Sequence, residues 1–200
     1  MKRLPILLLA TWFTAVQGQT LNVTTTVRVG TVTQKPPGGG AASCNNLVQT
    51  FEPTLNSAFG NISYKWLATD FVASADYTLC KAELRLIRTG SPSGTMTAQI
   101  HASSAGPVPG AAVGTASDSV AVGTVGTSFS YITFTNMSAS LVNGTAYFMV
   151  LKFTANGTAG NVIEWAYGDD AARECDFSDN SGSSWDEYAD VQLWFKTYSN

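Results

Sequence analysis

From Tyr77 to Gly110 the chain reads YTLCKAELRLIRTGSPSGTMTAQIHASSAGPVPG, and this stretch constrains the fold more than any other. In its first half Cys80, Ala82, Leu84 and Leu86 alternate with Lys81, Glu83 and Arg85; in its second half Met96, Ala98, Ile100 and Ala102 alternate with Thr97, Gln99 and His101. A period of two sends one set inward and the other to solvent, the pattern of half-buried strands. TGSPSG between the runs and AGPVPG after them combine proline, whose φ is fixed, with glycine, which tolerates positive φ. Further strands are expected over 64–72, 128–134, 145–153, 162–167 and 191–198, with an irregular one over 111–122. No segment sustains a helical period. Seven or eight short strands joined by hairpin-length turns predict an all-β chain, an antiparallel two-sheet β-sandwich, jelly-roll-like, with few or no helices. Leu84, Leu86, Ile100, Phe134, Phe148, Val150, Ile163, Leu193 and Phe195, or their alternates, are expected to fill it.

The first residues point to export. Lys2 and Arg3 precede an apolar run from Leu4 to Val16, with Gly18 before Gln19, so residues 1–18 read as a secretory signal peptide. The run is shorter than the roughly 20 apolar residues of a spanning helix, and no second such run follows, so no membrane span is expected after cleavage. Residues 19–44 form an N-terminal segment, β-branched over 21–32 and ending in the Pro/Gly-rich link KPPGGGAA; residues 45–200 read as one β-sandwich domain. Removing Lys2 and Arg3 from 11 basic residues leaves 9 against 14 acidic ones, a formal charge of −5. Nucleic acid is excluded as a partner on that balance, since it requires a basic patch. Export permits a disulfide, and the odd cysteine number leaves one over. Alternation puts Cys80 inward as a small hydrophobe, which favours pairing of Cys44 with Cys175.

The chemistry-bearing residues are concentrated late. Asp169, Asp170, Asp176 and Asp179 offer the hard oxygen ligands that calcium takes, although no EF-hand spacing accompanies them. Trp165, Tyr167, Trp185 and Tyr188 are the rings on which a sugar would stack, beside acidic side chains able to fix hydroxyl groups; Trp66 and Trp194 belong to the same inventory. His101 is the single histidine and falls on a polar strand face. No GxSxG, CxxC or HExxH occurs, so a nucleophilic or zinc site has no sequence support. Glu164 with Asp186 or Glu187 would be the carboxylate pair of a glycosidase, a reading ranked last.

NNL at residues 45–47, WLATDFVASADYTL at 66–79, TGSPSGTMTAQIHASSAGPVPG at 89–110, LVNGTAYFMVL at 141–151 and the SGSSW and FKTY endings together resemble the choice-of-anchor R domain, a family of exported bacterial β-sandwich domains. The resemblance implies an extracellular or cell-surface location and carries no catalytic residues. Members of such families often bear a C-terminal sorting signal or anchor; the chain stops at Asn200 after its last strand, so release is expected. Ser178 to Trp185, SDNSGSSW, is similar to an Asp-box hairpin with Asn180 in the Asp position. Five N-x-Ser/Thr sequons begin at Asn22, Asn61, Asn136, Asn143 and Asn156; a bacterial source implies that they are unmodified. The expected function is a secreted non-enzymatic structural or interaction module, with surface or matrix protein as partner. The alternative is a module that binds extracellular polysaccharide.

Overall fold

The computed structural model describes residues 43–200. The expected signal peptide, the β-branched segment expected over 21–32 and the glycine-rich link lie outside the described residues. Thirteen strands succeed one another in chain order: β1 (Asn46–Phe51), β2 (Leu55–Gly60), β3 (Trp66–Val72), β4 (Tyr77–Thr89), β5 (Thr95–Ser103), β6 (Pro109–Val113), β7 (Val120–Ala121), β8 (Ser130–Phe134), β9 (Ala139–Leu141), β10 (Ala146–Phe153), β11 (Val162–Ser178), β12 (Asp186–Leu193) and β13 (Phe195–Ser199). One 3₁₀ turn, Val122–Thr124, is the only helical element among the described residues. Every strand pairing is antiparallel. The protein is therefore all-β, built on one large antiparallel sheet in the order β1-β13-β4-β11-β3-β10-β5-β6, with the other strands attached to β4, β5 and β11.

Two long strands give the sheet its shape. β4 runs 13 residues and β11 runs 17, and each changes partners along its length. β11 starts against β4 and β2 and ends against β3 and β12. The change falls where Asp169 pairs with Val191 and Glu174 with Ala189, so that residues 170–173 bulge opposite Asp190 alone. A bulge of this kind bends the strand that carries it. The result is visible in ring contacts: Phe71 on β3 meets Phe195 on β13 at 5.4 Å. In hydrogen-bonded order these strands are three steps apart, about 14 Å on a flat sheet, so the sheet curls back over its own inner face. Phe71, Leu84, Leu86, Phe134, Trp165 and Phe195 are wholly buried there.

β10 shows why alternation alone misassigns a core. Its apolar sequence AYFMVLKF is covered on both faces. Tyr147, Met149, Leu151 and Phe153 turn to the main core, whereas Phe148 and Val150, expected among its members, join Ala68 in a second cluster beneath Trp66 and Trp185.

The disulfide is Cys44–Cys80, with Cα atoms 5.9 Å apart, and not the expected Cys44–Cys175. Asn46 pairs with Ser199, and Ser199 with Leu79, which brings the start of β1 within reach of Cys80 across β13. The inward set on β4 runs Leu79, Ala82, Leu84, Leu86, so alternation slips at Cys80 and Lys81, beside the register shift at Tyr198/Ser199. That slip turns Cys80 out of the core. Cys175 is instead the free, buried cysteine, its thiol pushed up by burial and by Asp176 and Glu174.

Candidate functional site

The sequence features with chemistry converge on the β11–β12 hairpin and the sheet face beneath it. At the tip, Ser178 and Asn180 hold the turn. The amide of Gly182 donates to Ser178 Oγ at 2.8 Å, that of Ser184 donates to Asn180 Oδ1 at 2.9 Å, and Asn180 Nδ2 donates to Ser184 Oγ at 2.7 Å. Gly182 takes φ +84° and Ser181 φ +62°, the left-handed region that glycine occupies without steric cost. Trp185, instead of lying free, tilts against Trp66 with ring centres 6.1 Å apart and its Nε1 buried without a hydrogen-bond partner among the described residues.

Below the tip, the outward residues of five strands form register rows. One row is Glu187, Asp176, Ala68, Val150 and Gln99; the next holds Ala189 and Glu174 on β12 and β11, then Asp70, Phe148 and His101. Four carboxyl groups, Asp70, Glu174, Asp176 and Glu187, thus share one corner. Asp70 is paired with Arg173 at 3.0 Å and accepts the Glu174 amide at 3.1 Å. Asp176 is 1 % exposed, with neither carboxyl oxygen hydrogen-bonded among the described residues. Burial first, then the charges of Glu174, Glu187 and Asp70, raise its pKa to about 8. Glu174 is raised to about 7 by burial and by a hydrogen bond with Glu187.

The four expected calcium ligands are not brought together. Asp176 is enclosed, Asp170 accepts the amide of Ala172 at 3.1 Å, and Asp179 sits exposed at the hairpin tip. Among the described residues no group of three His, Cys, Asp or Glu side chains is arranged to hold a metal ion. The glycosidase pair is likewise divided: Glu164 lies opposite Gly60 and Ile87 and accepts from Thr89 at 2.8 Å, while Glu187 lies opposite Asp176 beyond the bulge.

Of the four expected sugar-stacking rings, Trp165 is fully enclosed and donates its Nε1 hydrogen to Trp194 O at 2.8 Å, which removes it from any surface platform. Tyr167 and Tyr188 each pack against Phe59, at 4.7 and 5.0 Å. Tyr188 is 49 % exposed. Phe59, a lone aromatic in LNSAFG, carries no visible period in the sequence. His101, expected on an exposed face, is buried; its Nδ1 donates to Gly110 O at 2.7 Å, and burial holds its pKa below the usual value. Lys152 extends over the Trp66 ring at 4.1 Å and donates to Gln99 at 2.5 Å, with burial lowering its pKa to about 8.

A second aromatic surface lies on the outward side of β13, β4 and β8, and the sequence signal for it was present in the charged set Lys81, Glu83, Arg85. Arg85 covers Trp194 at 4.1 Å, Lys196 covers Tyr131 at 4.0 Å and Lys81 covers Tyr198 at 4.0 Å. Glu52 accepts from Tyr131 and pairs with Lys196 at 3.0 Å; Glu83 accepts from Tyr198 at 2.6 Å. Each ring carries a cation of the protein's own.

Comparison with protein-family models, with curated proteins and with solved structures finds no match to this chain.

Proposed function

We propose that this chain is a secreted, non-enzymatic β-sandwich module, jelly-roll-like, with an extracellular structural or interaction role. The observation that carries the reading is how its large aromatic rings are used: Trp165 is core, Trp66 and Trp185 pack on each other, and Trp194, Tyr131 and Tyr198 are each covered by a cation. Rings committed to packing stabilise a scaffold and leave little stacking surface for a ligand. The contact between Phe71 and Phe195 supports two packed layers, one ending in β6 and the other in β1, with β11 passing between them. The Cys44–Cys80 disulfide suits an oxidising compartment, in line with the signal peptide and the resemblance to exported bacterial domains. The partner on this reading is a surface or matrix protein.

A second reading, polysaccharide binding, is favoured by one observation, the exposed Tyr188 beside Phe59 and Tyr167. Retention of the exported protein on a panel of insoluble and immobilised polysaccharides, with and without calcium, separates the two. The structural reading expects no saturable retention and no release of sugar. Saturable retention abolished by Tyr188→Ala would replace it with the sugar-binding one, and turnover of any glycan would overturn both.

A further inference from the structure

Lys152 on β10 and Gln99 on β5 are diagonal neighbours, since Lys152 pairs with Thr97 and Val150 with Gln99. Residues so placed share a sheet face, and long side chains reach across the gap between them. Here they touch: Lys152 Nζ donates to Gln99 Oε1 at 2.5 Å. No carboxylate pairs with Lys152 among the described residues. It lies over the Trp66 ring at 4.1 Å, and burial lowers its pKa to about 8. An amine enclosed in this way gives up its charge more readily than one in water, and the uncharged form is the nucleophile.

The other atom of the Gln99 amide is held as well. Its Nε2 donates to Gly114 O at 3.4 Å, so the carboxamide keeps its oxygen toward Lys152 and its nitrogen toward the residue after β6. Two residues further along the same face of β5 is His101. Its Nδ1 hydrogen goes to Gly110 O at 2.7 Å, which leaves Nε2 with a lone pair, and that atom is buried with no hydrogen-bond partner among the described residues. Burial first, with the charge of Lys152 acting in the same direction, favours the neutral ring. His101 meets the Trp66 ring edge-on at 5.9 Å, so one indole borders both the amine and the unused base.

We propose that Lys152 and Gln99 join in an isopeptide bond that cross-links β10 to β5. The lone pair of the uncharged Lys152 amine forms the Nζ–Cδ bond to Gln99, and the electron pair of the Cδ–Nε2 bond departs with nitrogen. His101 Nε2 takes the proton released by the attacking nitrogen and returns it to the departing one, which leaves as ammonia. No oxidant, reductant or cofactor takes part, and each molecule reacts once. The two groups begin in contact, which removes the entropic cost that keeps free amines and amides from exchanging. The bond fastens the β5–β6 end of the sheet to β10, a reinforcement suited to a structural module outside the cell.

Peptide mapping by mass spectrometry tests this on the whole protein, shown to be folded by circular dichroism and then reduced, denatured and digested. A branched peptide joining the Gln99 segment to the Lys152 segment, lighter than its two parts by one ammonia, is expected, with tryptic cleavage at Lys152 blocked. Cyclisation of an N-terminal Gln19 also expels ammonia, so the branch, and not the total mass, decides. Lys152→Arg keeps a cation over Trp66 but offers no amine, and should yield only linear peptides. Gln99→Leu, which has no carboxamide, should do the same, and His101→Gln should leave most of the protein unlinked. Linear peptides alone from the folded native sequence would overturn the assignment, as would a branch at residue 99 that persists in Lys152→Arg. Complete linkage in His101→Gln would overturn the proton route.

Discussion

Gly182 at the hairpin tip lies so close to the Trp66 indole that a Cβ on residue 182 would stand 2.5 Å from Trp66 Cζ3. The contact joins the turn between β11 and β12 to the first residue of β3. It also brings Trp185 over Ala68, Phe148 and Val150, closing the second apolar cluster. The Ser178/Asn180 hydrogen-bond frame therefore serves packing: it fixes the turn in the one shape that seats glycine on tryptophan.

Gly182→Ala should destabilise the protein by about 1–3 kcal/mol, because both the positive φ and the indole oppose a methyl group. Urea unfolding monitored by tryptophan fluorescence measures it. A loss within a few tenths of a kcal/mol would mean that the tip does not rest on Trp66.

Stability should fall as pH rises, with the sign set by Asp176. Its pKa is raised from 3.8 unfolded to about 8 folded, so the folded protein holds a proton that the unfolded chain gives up. The group's contribution is greatest below the unfolded pKa and is lost as pH climbs through the folded one, with a slope approaching about 1.4 kcal/mol per pH unit. Asp176→Asn should flatten this dependence, raising the melting temperature at pH 8 and changing it little at pH 4. Parallel melting curves for the two proteins at every pH would remove Asp176 as the cause.

Reduction should act through one bridge alone. Closing a loop with a sequence separation of 36 residues is worth about 4 kcal/mol on a chain-entropy estimate. Peptide mapping should recover Cys44 joined to Cys80. Cys175 should react with thiol reagents only after unfolding, since it is 2 % exposed. Rapid labelling of Cys175 in the native protein would contradict its burial.

Two aromatic substitutions should part cleanly. Trp165→Ala empties a fully enclosed site and removes the hydrogen bond to Trp194 O; a loss of about 3–5 kcal/mol is expected. Tyr188→Ala, at a position half open to solvent, should cost no more than about 1–2 kcal/mol. Circular dichroism during denaturation compares them, and similar losses would show Tyr188 to be as deeply packed as Trp165.

Much of the fold was legible because alternation is a local property. The runs around Leu84 and Ile100 needed no partner to declare themselves, and β4 and β5 form where expected, each a residue longer at one or both ends. β11 was expected to stop at Tyr167, yet it runs to Ser178. Gly168 to Glu174 have no apolar period and are strand because β12 pairs on both sides of the bulge, with residues 167–169 and 174–177, while β3 pairs with 175–178. β12 carries DEYAD at its start, and that acidic stretch read as loop for the same reason.

The site was legible as an inventory and not as an arrangement. Trp165 and Tyr167 lie on the same strand two residues apart, yet one is wholly buried and the other is half-buried against the core beside Phe59. Asp70, distant in sequence from Glu174, meets it because β3 and β11 are neighbours.

By itself the sequence determined that this chain forms antiparallel strands, where most of them lie, and that the Ser178–Trp185 segment turns on its own side chains, because periodicity and turn chemistry act within a few residues. Only the tertiary structure decided which cysteines join, which tryptophans are enclosed and which carboxyl groups share a corner. Those outcomes depend on the order of strands in the sheet and on one bulge in β11, and a shift of a single residue in register carries a side chain from one face to the other.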